Sequence, residues 1–332
     1  MTSRDEDLEL QVQDDLELVE ELLAASTAHS HGLLNEMTTH LAEAGGKRLR
    51  PMLTLIASRL GDEGAPATEA TLKAATVVEL THLASLYHDD VMDSAVSRRN
   101  VDAAQVVWGN NRAILAGDLL FARAAKLVAD LGQESVAHHA VTFERLCAGQ
   151  LAETFGPQGD QDPVEFYLQV LADKTGSLVA TSAYLGALHG GADPAIAHSM
   201  KDFGEYIGVA FQLADDVLDI TSPGTVSGKT PGTDLREGVD TMPVLLLRAK
   251  EKDGTLDEAG KRILLLLGED LQDDENLETV VALLANHPVI DETRGLSREW
   301  ANKALNQLDG LPDGEARAAL EAFALLMVDR AT

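Results

Sequence analysis

Two aspartate clusters, each embedded in apolar sequence, constrain this chain more than any other feature. His82 to Asp93 reads HLASLYHDDVMD, and Phe211 to Asp219 reads FQLADDVLD. On a helix Asp89 and Asp93 lie four apart and share a face, as do Asp215 and Asp219. Two carboxylates about 6 Å apart repel by about 3 kcal/mol at an effective dielectric of about 20. A cation must offset that. Mg²⁺ does so through one or two carboxylates completed by substrate phosphate oxygens. A single cluster reads equally well as a solvated helix end. The second copy, with Leu213, Ala214, Val217 and Leu218 around it, argues against a wet face. The expectation is two acid faces that meet across a cavity, share several divalent ions and suit a diphosphate substrate.

Composition narrows the fold. The chain has 332 residues, 45% of them hydrophobic and only 4% aromatic, with abundant Ala and Leu. That balance favours helix packing over sheet. No Pro/Gly/Ser-rich linker separates the acid motifs, so residues 1–332 read as one all-α domain. The formal net charge of −29 makes nucleic acid an unsuitable partner. Cys147, the only cysteine, allows no intrachain disulfide and sits in apolar RLCAGQL, where it reads as a small core residue. The acidic N-terminal sequence has no apolar signal core, and no run of ~18 apolar residues predicts a span. A cytoplasmic protein is expected.

Basic residues are scarce, so their placement is informative. Gly45-Gly46 stop a helix and lead into Lys47, Arg48 and Arg50 before Pro51. Glycine lets backbone approach a ligand, and Lys and Arg grip phosphate oxygens; equally, such charges answer a helix C-terminus. Arg98-Arg99 follow the first acids, either to neutralise them or to clamp phosphate. His82 falls on roughly the same stripe as Asp89. Lys174, Thr175 and Gly176 interrupt an apolar helical pattern running from Val164 to Leu188, and Gly176 reads as a kink or a tolerated small residue. Lys229 lies in a Gly/Pro-rich segment after the second cluster, which suits a lid or a plain connector. An N-terminal amphipathic helix is expected from Asp14 to Ser30.

Taken together, GGKRLRP, HDDVMD, Arg98-Arg99, GDLLFARA, KTGSL, FQLADDVLD and GKTPGTDLREG resemble the trans-isoprenyl diphosphate synthases of the polyprenyl synthetase family. Their order and spacing from Gly45 to Pro243 carry the resemblance. It implies an isoprenoid synthase-type helical bundle around a central cavity, usually a homodimer. It implies that Asp89, Asp93, Asp215 and Asp219 hold Mg²⁺, three ions with substrate bound, and that Asp90 and Asp216 support them. Lys47, Arg50, His82 and Arg99 match positions that bind isopentenyl diphosphate. Arg98, Lys174 and Lys229 match positions on the allylic diphosphate. Thr175 and Gln212 match groups that stabilise the cationic centre. Two departures stand out: Asn100 replaces a glycine after the arginine pair, and Val239 stands where a lysine often follows the lid.

The implied reaction is condensation of isopentenyl diphosphate with an allylic diphosphate. The positions four and five before Asp89 are Ser85 and Ala84, where large aromatics in the family block the tail; here both are small. An all-trans product of twenty carbons or more is therefore expected, with Ala84 as the position at which a bulky residue shortens it. The alternatives are a non-catalytic subunit of a heteromeric synthase, whose acid clusters would be damaged, and a terpene cyclase of the same fold, which would lack the two basic segments. A metal phosphohydrolase built on His88-Asp89 would need further ligands.

Overall fold

Helices make up nearly every element among the described residues. The computed structural model describes residues 3–62, 65–222 and 231–329, with side chains from Leu8 onward. They divide into two compact units. Of these, the first takes residues 3–62, 65–144, 178–204 and 308–321; the second takes 145–177, 205–222, 231–307 and 322–329. Among the described residues, no helix is long and apolar enough to cross a membrane.

The first unit is built on α1 (Ser3–Thr27), α2 (Gly32–Glu43), α3 (Leu49–Ser58) and the 24-residue α4 (Glu69–Met92). Thr68 caps α4, its hydroxyl accepting the Thr71 N–H at 3.1 Å. After α4 come a hairpin of β1 (Ser97–Arg98) and β2 (Val101–Asp102), then α5 (Ala104–Trp108), α6 (Asn110–Ala129) and α7 (Gln133–Phe155). One apolar core joins Leu23, Met37, Leu41, Leu80, Leu83, Ala84, Tyr87, Ala113 and Leu120. Tyr87 turns away from the acids into this core and donates its hydroxyl to Met37 O at 2.5 Å.

The second unit takes the end of α7, then α8 (Pro163–Leu171), started by Asp162 accepting the Val164 and Glu165 N–H groups. A π-helical turn (Ala172–Gly176) comes next, and α9 (Ser177–His189), from Leu178 onward, belongs to the first unit. The remaining helices are α10 (Pro194–Thr221), α11 (Thr233–Arg236), α12 (Met242–Lys252), α13 (Glu258–Leu266), α14 (Asp274–Ala285), α15 (Pro288–Asn306) and α16 (Glu315–Val328). Val217, Val244, Leu247, Leu277, Val280 and Val289 form the second unit's main core.

Three expectations change. Helix α1 begins at Ser3 rather than near Asp14. The Val164–Leu188 stretch is two helices joined by the π-turn. Cys147 is exposed, because its position on α7 faces outward with Ala148 and Leu151.

Candidate active site

In the first unit, α4 ends in the first acid cluster. Asp89 is half-buried, Asp93 is the exposed C-cap residue, and Asp90 is fully buried. Burial raises the Asp90 pKa, and Arg98 counters that rise. Arg98 reaches Asp90 Oδ1 through Nε at 2.7 Å and Nη2 at 2.6 Å. Asp90 Oδ2 is buried without a hydrogen bond among the described residues. Arg98 in this structure therefore serves the cluster's middle acid.

The hairpin turn explains how adjacent arginines reach different places. Arg99 (φ 53°) and Asn100 (φ 63°) form a two-residue turn with both residues left-handed, which suits the right-handed twist of paired strands. Asparagine is among the non-glycine residues that best tolerate this conformation, so Asn100 substitutes for glycine without breaking the turn. Arg99 turns toward the loop after α2, donating to Leu41 O at 2.9 Å and to Gly45 O. A Cβ on Gly46 would sit 3.0 Å from the Arg99 guanidinium carbon, and φ there is +153°. The glycine expected to admit a ligand thus admits an arginine.

Arg48 lies in the same network but is structural. It is buried, ion-paired to Glu20 of α1 and, through Nη1 at 2.9 Å, to Glu79 of α4. Glu79 also meets Arg99 Nη2 at 3.5 Å. Arg50, at the start of α3, has a buried Nε with no hydrogen-bond partner among the described residues. Burial lowers its pKa, with Glu79 opposing and Arg99 reinforcing. His82 is held well below the usual imidazole range by burial first, then by Arg50, Arg99, Arg98 and Arg48. It is therefore neutral at pH 7 and belongs to a cluster of cationic side chains about two turns back from Asp89. Lys47, next to Arg48 in the sequence, is exposed. Arg50, His82 and Arg99 lie near enough to one another to interact electrostatically.

Sequence reasoning passed over Glu79, the carboxylate shared by Arg48 and Arg99. It was visible as the only acid in the apolar run from Ala74 to Tyr87, three residues before His82.

In the second unit, α10 carries Gln212, Asp215, Asp216 and Asp219. Gln212, Asp215 and Asp219 are half-buried and Asp216 is buried. Asp216 accepts the Tyr167 O–H at 3.0 and 3.1 Å and the Met242 N–H at 3.1 Å. Burial pushes its pKa up to about 8, against these donors. The same burial, with Asp216 beside it, raises the Tyr167 phenol well above its usual range. Asp219 Oδ2 accepts the Asp234 N–H at 3.4 Å, at the start of α11. Lys174 and Thr175 lie half-buried in the π-turn, with Lys174 paired to Glu153 of α7. Lys229 lies outside the described residues. Val239 is exposed and supplies no cation.

The outer aspartates offer hard oxygen donors on partly open helix faces, the chemistry Mg²⁺ takes. Among the described residues, no three His, Cys, Asp or Glu side chains converge as a ready-made ion site. Such a donor set fits a metal that substrate phosphate completes, rather than one caged by protein alone.

Ala84 is 0% exposed, locked into the core with Tyr87 and Leu120, whereas Ser85 keeps partial exposure on the His82–Asp89 side of α4. Helical phase assigns the partly open position to Ser85.

Residues 31–284 match the sequence model of the polyprenyl synthetase family. The chain is 40% identical over 313 residues to a nonaprenyl diphosphate synthase of Mycobacterium tuberculosis, covering 94% of this chain and 91% of that one. Its structure resembles a geranylgeranyl pyrophosphate synthase from Corynebacterium glutamicum complexed with calcium and isoprenyl diphosphate. That TM-score is 0.85 at 42% identity, covering 98% of each chain. A decaprenyl diphosphate synthase from Rhodobacter capsulatus also gives 0.85, at 33% identity over 99% of each chain. With motifs, fold and relatives in agreement, the chain belongs to the polyprenyl synthetase family of prenyltransferases.

Proposed function

We propose that this chain condenses isopentenyl diphosphate with an allylic diphosphate, giving an all-trans polyprenyl diphosphate of twenty carbons or more. The observation that carries the reading lies on α4: a half-exposed acid pair at its end, and a cationic cluster of Arg50, His82 and Arg99 farther back. Two differently charged regions on one helix suit two diphosphate substrates in different roles.

In this reading Asp89, Asp93, Asp215 and Asp219 hold Mg²⁺. Bound there, the metal supplies the charge neutralisation that makes the allylic diphosphate a leaving group. Asp90 and Asp216 hold their helices' acid ends in place through Arg98 on one side and Tyr167 with the Met242 N–H on the other. Arg50 and Arg99 grip isopentenyl diphosphate together with the exposed Lys47. Neutral His82 donates or accepts one hydrogen bond without adding charge to an already cationic cluster. Lys174, Lys229 and Arg98 attend the allylic diphosphate; Arg98 would have to share itself with Asp90. Thr175 and Gln212 direct oxygen dipoles toward the developing carbocation. Attack by the second substrate's double bond, then loss of a proton to the released diphosphate, completes elongation.

Exposed apolar side chains on α6 and α7 fit a homodimer. Ile114 and Leu115 on α6, and Val141 and Phe143 on α7, are exposed, with Leu115 at 64% and Val141 at 55%. Apolar surface of this kind suits a second copy of the chain. The acidic charge and reducing-compartment cysteine usage suit the cytoplasm.

Incubation with Mg²⁺, radiolabelled isopentenyl diphosphate and an allylic primer tests the activity. Chromatography of the dephosphorylated products reads the length. Ser85→Phe should shorten the product while keeping the first condensation. A wild-type product that stops at fifteen carbons, or no incorporation at all, overturns the reading.

A further inference from the structure

The π-turn at Ala172–Gly176 is a costly piece of backbone, and the side chains around it are arranged as though to hold it. One extra residue in a helical turn rotates the rest of the helix by roughly 100° and leaves poorer hydrogen-bond geometry, which is why such turns are rare and gather at functional sites. Lys174 and Thr175 sit inside it. The Ser177 N–H reaches past Asp173 to Ala172 O, and the Ser177 hydroxyl takes Asp173 O instead, at 2.6 Å.

Asp173 is the fixed point. Its Oδ1 accepts Arg145 Nε at 2.6 Å, and its Oδ2 accepts Gln169 Nε2 at 2.9 Å. Arg145, near the middle of α7, simultaneously pairs with Glu205 of α10 through Nη1. The three side chains are 25%, 18% and 28% exposed, so water competes weakly for them. Two glycines let the neighbouring helices close on the turn. A Cβ on Gly149 of α7 would lie 2.9 Å from Asp173 Cβ and 3.0 Å from the Lys174 backbone nitrogen. A Cβ on Gly176 would lie 3.1 Å from Glu205 O. Backbone on both sides thus approaches as nearly as glycine allows, and a single guanidinium bridges the carboxylates that the approach brings together.

We infer that Arg145 is a positioning residue for prenyl transfer: by bridging Asp173 and Glu205 it holds the π-turn in the register that presents Lys174 and Thr175. Arg145 touches neither substrate. The inference rests on the reading of Lys174 and Thr175 as groups at the allylic substrate, and it makes the α7–α10 bridge the device that keeps them there. A planar, forked guanidinium can serve two carboxylates at once; an ammonium on a flexible stem serves one well. That difference gives the test its conservative variant.

Two readouts on the full-length protein separate the possibilities. Hydrogen exchange followed by mass spectrometry, on peptides covering 170–178, reads the turn itself. Steady-state kinetics read its consequence. In Arg145→Gln, exchange in that segment should accelerate while the rest of the chain keeps its protection. The KM for the allylic diphosphate should rise by about tenfold, the scale of one charge-assisted hydrogen bond, with the KM for isopentenyl diphosphate within about twofold. Arg145→Lys should recover part of both. Placed in a Lys174→Ala background, Arg145→Gln should add less than it does alone, because both act through one turn. Glu205→Gln, which removes one arm of the bridge, should give the same pattern in weaker form and stands in if Arg145→Gln does not fold. Unchanged exchange at 170–178 overturns the inference, as does an equal rise in both KM values together with a general loss of protection. A normal allylic KM in Lys174→Ala would instead refute the role given to Lys174, while the exchange data still decide what Arg145 does.

Discussion

The two acid clusters share a sequence pattern and differ in how the middle carboxylate is kept. Asp90, in the first unit, is fully buried and met by a cation, Arg98, which comes from a hairpin eight residues further on. Asp216, in the second, is buried among neutral donors, a phenol from α8 and a backbone N–H from α12. In both, the outer acids, four apart, keep at least partial exposure, as helical phase dictates for residues that share a face. A repeated motif therefore preserves what the outer positions offer to a ligand, and leaves each local environment to solve the burial of the middle one. The first solution is charged and depends on a loop; the second is neutral and depends on helices already in the core.

The strongest way to break the comparison is to remove an outer acid from each side. Asp89→Ala and Asp215→Ala should each cut turnover by several orders of magnitude, since each removes a ligand from ions that drive ionisation. Near-normal turnover in either, with Mg²⁺ saturating, would leave one cluster doing the chemistry alone. Cations come next. Arg50→Ala removes a charge-assisted contact worth roughly 1.5–3 kcal/mol and should raise the KM for isopentenyl diphosphate by about 10- to 150-fold. An effect of Arg50→Ala on the allylic KM alone would reverse the assignment of the cationic cluster.

A pH titration probes the first unit without touching either cluster. In the first unit burial lowers the pKa values of His138, His139 and His189, and that of His138 falls to about 4, with Lys201, His139 and His198 reinforcing and Glu134 opposing. Between the unfolded value near 6.5 and the folded value near 4, the unfolded chain binds more protons, so stability falls as pH falls. From pH 8 to pH 5, His138 alone should cost about 2 kcal/mol. Urea unfolding of the wild type and of His138→Gln should show a correspondingly shallower acid dependence in the variant. Equal slopes would show that the imidazole is protonated without penalty.

The smallest expected difference is the most pointed. Asp90→Asn keeps an oxygen for Arg98 but removes its counter-charge and should cost about 2 kcal/mol, less than a fully buried broken pair because Arg98 is partly exposed. Asp216→Asn still offers a carbonyl oxygen to Tyr167 and Met242 and should cost about 1 kcal/mol or less. Metal-free urea titrations of the two variants decide it; an equal loss would erase the distinction between the two solutions.

Much of this was legible in the chain. Helix α4 and its acids follow from apolar spacing and from the i, i+4 rule, and α10 likewise. The basic segment after Gly46 stood out against a strongly acidic background. The features that stayed hidden have a common cause: the partner lies far along the sequence, or the signal is symmetrical. The π-turn is flanked by apolar residues on both sides, so a slip of one residue leaves no mark in the pattern. Tyr167 meets Asp216 across 49 positions, and nothing local marks it. The Arg99-Asn100 turn lacks the glycine that usually announces a tight hairpin. Cys147 was assigned inward because its neighbours are apolar, yet that face of α7 is apolar and open.

Glu79 and Glu20 pair with Arg48 and Arg99, and Arg50 lies close by, so three guanidinium groups outweigh these two carboxylates and this small region stays cationic within a chain of formal charge −29. A diphosphate approaching from solution meets repulsion first. Fields of exposed charges fade over a Debye length, ~8 Å at physiological ionic strength and ~30 Å in very dilute salt. Ordinary salt therefore shortens the range of that repulsion. Capture becomes a short-range event, and the encounter rate should climb from dilute buffer to moderate ionic strength before screening reaches the arginines themselves.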